Sequence, residues 1–223
     1  MNKALIEIED CGEEKMNKEK MTAKELIEKK SIELLPYNSA GWSWVNNAKQ
    51  LVSLMITYPN IKNIIEIGSF TGACSTTLLG VYAKARGGKI ICIDPCLSNS
   101  FDDYNQEFWG IPEWVVYPKD KMFEHFISNV THNGIDDIVI PMACTSEEFF
   151  KLEPEKDIDM VYIDGSHDYE VELEDIRNAF KHYPDAIICG DDYNLPNVFK
   201  AVDNAAKELD KLVHNEDEFW IME

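Results

Sequence analysis

From Asn63 onward, short runs of apolar, mostly β-branched residues alternate with longer stretches whose apolar positions recur every three or four residues. The short runs are Asn63–Ile67, Lys89–Ile93, Ile135–Met142, Asp159–Ile163, Ala186–Cys189 and Glu218–Met222. Between them lie helical patterns over 72–85, 169–183 and 198–212, and another precedes the first run from Trp44 to Tyr58. Strands this short and this continuously apolar must be covered on both faces. Strand–helix alternation of this kind therefore predicts an α/β domain built on a parallel sheet. The 169–183 helix sets Tyr169, Leu173, Ile176, Phe180 and Tyr183 on one face. Asp168, Glu170, Glu172 and Glu174 fall in its first turns and Lys181 and His182 in its last, the arrangement that complements the helix dipole.

Residues 1–43 form a charged extension, with a helix expected over Ala23–Leu35 and a loop over 36–41; residues 44–223 form the domain. The connection from about 96 to 133 is long for one crossover and carries Phe101, Tyr104, Phe108, Trp109, Trp114 and Tyr117. Aromatics so dense in a connection suggest either a lid over a substrate or a small satellite core. Trp42, Trp44 and Tyr193 are further candidates for an acceptor wall.

Composition narrows the chemistry. Lysine and arginine total 21 against 41 aspartates and glutamates, a net charge of -20 that repels a phosphate backbone, so nucleic acid is not the expected partner. No apolar run reaches the roughly 18 residues of a membrane span. Cys11, Cys74, Cys92, Cys96, Cys144 and Cys189 are scattered, without the paired spacing of a zinc site, and read as reduced thiols of a cytoplasmic protein. The expected partner is a small molecule; association with further copies of the chain is left open.

Two groups of residues sit at strand ends, where a doubly wound sheet binds its ligands. Glu66-Ile-Gly68-Ser69-Phe-Thr-Gly72 links the first strand to its helix. Its Gly-x-x-x-Gly spacing departs from the Gly-x-Gly-x-x-Gly of dinucleotide sites, so a nicotinamide enzyme is disfavoured. Asp94 ends the second strand, where a carboxylate can accept both hydroxyls of a ribose. The second group is Asp164-Gly-Ser-His167 after the fourth strand and Gly190-Asp191-Asp192 after the fifth. If these strands are neighbours, three carboxylates converge, and oxygen ligands favour Mg²⁺ or a similar hard divalent cation. The competing reading is that these acids cap the following helices. His167, a residue type suited to general-base work, stands three residues beyond Asp164 at the mouth of the sheet.

The run Glu66–Gly72, with Asp94, resembles the first motif and the ribose-binding acid of class I S-adenosylmethionine-dependent methyltransferases. The longer run to Ser75 is also similar to catechol O-methyltransferase. This resemblance implies a Rossmann-like, seven-stranded, mostly parallel sheet with its last strand antiparallel. It places Glu66, Gly68, Ser69, Gly72, Ser75, Asp94, Thr145, Ser146 and Asp164 at the cofactor, with Ser75 on the methionyl carboxylate and Thr145 and Ser146 near the adenine. Asp164-Gly-Ser-His167-x-Tyr169 and Gly190-Asp191-Asp192 look like the metal-dependent macrocin- and mycinamicin-type sugar O-methyltransferases. That likeness implies Asp164, Asp191 and Asp192 as metal ligands, His167 and Asp164 as catalytic residues, and a hydroxyl of a sugar or other polyhydroxylated molecule as acceptor. A phenolic or catechol-like acceptor, a cephalosporin-hydroxylase-like reaction and a cofactor-binding protein without catalysis are the alternatives.

Overall fold

The computed structural model describes residues 44–98, 121–152 and 155–223. The expectations for the 1–43 extension and for the aromatics between 99 and 120 lie outside the described residues, as do the side chains of Trp42 and Trp44.

The chain runs α1 (Trp44–Thr57), β1 (Asn63–Ile67), α2 (Ser75–Ala85), β2 (Lys89–Ile93) and a 3-10 turn (Pro95–Ser98). It continues with α3 (Met122–His132), β3 (Val139–Met142), α4 (Ser146–Lys151), β4 (Met160–Ile163), α5 (Tyr169–His182) and β5 (Ile187–Gly190). It closes with α6 (Pro196–Leu209), β6 (Val213–Glu216) and β7 (Phe219–Met222). Seven strands form one sheet in the order β3-β2-β1-β4-β5-β7-β6. β1 to β5 are mutually parallel; β7 is antiparallel to both β5 and β6. This is the Rossmann-like architecture expected, with the antiparallel strand last in the chain but not at the sheet edge.

Each face of the sheet has its own core. Ile64, Ile90, Cys92, Met160 and Tyr162 pack beneath α1, α2 and α3. Ile65, Ile91, Val161, Ile163 and Ile188 pack beneath α4, α5 and α6. Every residue of β1 and β4 is buried, as continuous apolar strands require. Pro141 is tolerated in β3 because that strand is at the sheet edge.

Four local expectations are corrected. α2 starts at Ser75 rather than Gly72, because Gly72 (φ 68) and Cys74 (φ 49) hold the preceding loop out of helical geometry. The third strand begins at Val139, since Ile135 is buried in the turn that follows α3. The last helix ends at Leu209 on a left-handed Asp210, and the residues beyond it form β6, paired with β7 in a hairpin. The fifth strand spans Ile187–Gly190 rather than Ala186–Cys189, because those are the residues that pair with β4.

The order of strands brings the ends of β1, β2, β4 and β5 side by side. Trp220 on β7 lies under this end, fully buried, and its Nε1–H donates to the Asp191 carbonyl at 3.1 Å. Trp220→Ala is expected to destabilise the domain by about 3–5 kcal/mol, the scale of an aromatic cavity. Trp220→Phe should cost less, near the roughly 1 kcal/mol of a single hydrogen bond. Urea midpoints of the two variants would test the ranking.

Candidate active site

The loop after β1 is fixed by close approach. Gly68 has φ 91, and a Cβ there would overlap the Asp164 carbonyl at the end of β4. The Gly68 backbone thus packs directly on the neighbouring strand end. The Asp164 N–H donates to the Ile67 carbonyl and the Gly68 N–H to Ile93, tying three strand ends together. At Gly72 a Cβ would sit 2.7 Å from the Phe126 ring, so α3 packs directly on this loop.

Asp94 braces the same loop. Its Oδ2 accepts the Phe70 N–H at 2.7 Å and its Oδ1 accepts the Cys96 N–H at 2.8 Å. Burial raises its pKa, and these two backbone donors oppose the rise. A carboxylate has about four acceptor positions, so lone pairs remain for a ligand. Glu66, on β1 just before the loop, is fully buried, with Oε2 accepting from Thr76 Oγ1 at 2.6 Å. Its Oε1 and the hydroxyl of Ser69 are buried with no hydrogen-bond partner among the described residues. Unsatisfied polar atoms cost about 1–3 kcal/mol each, and two at one strand end mark a place built for a polar ligand.

Thr145 and Ser146 are engaged in starting α4. Thr145 and Glu148 form a reciprocal capping box, with the Thr145 side chain accepting the Glu148 N–H at 3.2 Å. The Ser146 hydroxyl is turned toward the buried Asp175. Ser75 opens α2 next to Glu66.

The second group of residues meets across β4 and β5. His167 Nε2 is 2.7 Å from Asp192 Oδ2. Asp164, His167 and Asp192 each offer an atom within 4.8 Å of the others, a geometry able to hold a metal ion. Asp191 Oδ1 accepts the Asp192 N–H at 2.7 Å, and Asp192 has φ 60. Asp191 is close enough to Asp164 to repel it. Two of the three expected aspartates thus meet His167, and the third, Asp191, stands beside them.

The acids are not spent on capping. Asp168 caps α5, its Oδ1 accepting the Glu170 N–H at 3.0 Å, and α6 begins at Leu195–Pro196 without a side-chain cap. Burial, followed by the charges of Asp191, Asp192, Glu66 and Glu172, pushes the Asp164 carboxyl well above the usual range.

Two acids escaped the sequence reading. Glu172 and Asp175 are 2% and 3% exposed, each with one oxygen that has no partner among the described residues. Burial lifts Asp175 to about 7 and Glu172 well above its ordinary value, with Asp175 and Asp192 adding to the latter. Glu172 borders the apolar arc set by Tyr169, Leu173 and Ile176, and that was the available signal; Asp175 lies further round α5, where the spacing gave none.

The methyltransferase-domain family matches residues 65–193, which is the whole span from β1 to the residue after Asp192. The chain belongs to that family. No curated protein matches the sequence. Solved structures share the fold. An O-methyltransferase from Bacillus cereus in complex with SAH is 15% identical, with TM-score 0.57 and 88% of each chain covered. The SAH-bound methyltransferase PaMTH1 of Podospora anserina is 15% identical, with TM-score 0.59 and 86% of each chain covered. The O-methyltransferase TomG of Streptomyces achromogenes, involved in tomaymycin synthesis and solved with SAM, is 15% identical. It has TM-score 0.57, covering 89% of this chain and 88% of its own. At such identities the likeness speaks for the fold of the methyltransferase domain, and the site must be argued from its own residues.

Glu66 gives a pH test of this site. Desolvation lifts its pKa from 4.5 to about 7, against the opposing pull of Thr76, Ser75 and Cys92. Across that window the unfolded chain has released the proton and the folded chain retains it. Stability therefore falls as pH rises, by about 3 kcal/mol in full. Glu66→Gln removes the titration, so its stability relative to wild type should climb between pH 4.5 and 7. Chemical denaturation at several pH values reads this directly; a difference that stays flat with pH would contradict a proton-holding Glu66.

Proposed function

We propose that the protein is an S-adenosylmethionine-dependent O-methyltransferase, assisted by a divalent cation, that acts on a hydroxyl of a sugar or other polyhydroxylated small molecule in the cytoplasm. The observation that carries this reading is the meeting of Asp164, His167 and Asp192 beside the polar-lined loop after β1.

The residues fit both groups. At the β1 and β2 ends, Ser69 Oγ and Glu66 Oε1 are buried polar atoms with no partner among the described residues, next to Asp94 and the Gly68–Gly72 loop. That chemistry suits an adenosyl ligand with hydroxyls and charged ends. At the β4 and β5 ends, crowded carboxylates coexist only when protonated or neutralised, and oxygen donors favour a hard cation. Asp164 and Asp192 would hold the ion, with His167 as third neighbour and Asp191 orienting Asp192. When bound, the sulfonium supplies an activated methyl group and the cation lowers the pKa of a coordinated hydroxyl.

The chain's own residues then supply position and a base. Asp192 orients the His167 imidazole through the 2.7 Å contact. An imidazole so held can take the proton of an acceptor hydroxyl near neutral pH. The sugar-like acceptor class is supported by the Asp164-Gly-Ser-His167 and Asp191-Asp192 pattern, and the net charge of -20 weighs against nucleic acid. Scattered thiols, with Cys92 and Cys189 buried and free, suit a reducing compartment.

His167→Ala is expected to lower turnover by about 10²- to 10⁴-fold with little effect on binding of the methyl donor. Asp192→Ala should abolish the metal-dependent part of the activity. Methyl transfer from labelled donor, measured before and after EDTA treatment, checks both; full activity in EDTA would remove the cation from the mechanism.

A further inference from the structure

Two tyrosines directly follow the residues of the acid–histidine cluster. Tyr169 stands two positions after His167, and Tyr193 one position after Asp192. Both hydroxyls bond to α6. Asn204 Nδ2 donates to the Tyr169 oxygen at 2.9 Å, and the Tyr193 O–H donates to Asp203 Oδ1 at 2.9 Å. The two partners are consecutive residues. One turn earlier, the same side of α6 adds a contact to each ring. The Lys200 ammonium lies 4.6 Å from the Tyr169 centroid, and Phe199 meets Tyr193 edge-on at 5.3 Å. The Tyr193 N–H also donates to the Glu218 carbonyl at 2.8 Å.

α6 is suited to be the fixed member. Val198, Ala201, Val202 and Ala205 are buried in the core against the sheet and α5. The loops it touches are the ones under constraint. Asp192 has φ 60, a conformation that a non-glycine residue keeps only where its surroundings over-determine it. The residue immediately after it is anchored by its backbone, its ring and its hydroxyl.

The geometry points to Asp203 and Asn204 as positioning residues: through Tyr193 and Tyr169, adjacent side chains of one helix set the spacing of the two loops that bring Asp192 to His167. The inference rests on the reading of Asp164, His167 and Asp192 as the working site. Asp203 and Asn204 touch neither cofactor nor acceptor in this account. They act on the His167–Asp192 contact from behind, much as outer partners orient the ligands of a metal site.

The test compares Asp203→Ala/Asn204→Ala with the conservative Asp203→Asn, which retains an acceptor for the Tyr193 hydroxyl. Tyr169→Phe/Tyr193→Phe keeps both rings and removes both hydroxyls. Three quantities are read: the ring-nitrogen NMR shifts of His167 at fixed pH, the affinity for Mn²⁺ alone by calorimetry, and the thermal midpoint. The double variants should lose the signature of the His167–Asp192 hydrogen bond and bind Mn²⁺ about 10- to 100-fold more weakly. Their midpoints should stay close to wild type, and Asp203→Asn should behave as wild type. Unchanged His167 shifts in both double variants would overturn the inference, as would losses that simply follow unfolding of the domain. If the wild type itself binds no Mn²⁺, the cation in the proposed function fails, and the His167 shifts alone decide the role of α6.

Discussion

Like charges crowded into a half-dry space repel, and this repulsion organises the end of the sheet where β1, β2, β4 and β5 stop. Asp164 is surrounded by Asp191, Asp192, Glu66 and Glu172, all of which push its carboxyl toward the protonated form. A fold that only needed stability would not gather these groups, since an apolar residue of similar size at any of these positions would remove the conflict. Protons relieve the repulsion, and so does a cation. The proposed chemistry uses the second means of relief.

The rest of the architecture works to keep that arrangement from relaxing. Parallel strands placed side by side aim their loops at one point. Gly68 lets the ends of β1 and β4 touch where a side chain would force them apart. Asp168 satisfies the α5 amino end, so Asp164 and Asp192 are left for other work. Trp220 holds the Asp191 carbonyl from beneath, and α6 holds Tyr169 and Tyr193 from the side. On the neighbouring pair of strands, Asp94 ties the Phe70 and Cys96 amides together, so the loop after β1 and the turn after β2 are braced by one carboxylate.

Much of this was legible in the sequence, for physical reasons that also explain what was not. Fully buried strands such as Asn63–Ile67 announce themselves because both faces must be apolar. The strand-end acids stood out because polar residues directly after such runs have few structural uses. β6 was illegible: Val213-His-Asn-Glu216 is nearly all solvent-facing and is defined only by pairing with β7. Side-chain direction was equally hidden. Nothing in Asp191-Asp192 reveals that the first turns back onto the next amide while the second, in a left-handed conformation, reaches His167. Glu172 reads as an ordinary acid of a helix start until its angular position on α5 is compared with that of Ile176, and the burial of Asp175 is not visible even then.

The central claim is that an acid cluster held partly protonated is built to exchange its protons for a cation. Calorimetric titration of Mg²⁺ into the wild-type protein at neutral pH, repeated in buffers of different ionisation enthalpy, measures both the binding and the protons released. The account predicts saturable binding with net proton release that is lost in Asp164→Asn. Absence of Mg²⁺ binding, or binding with no protons displaced, would contradict it.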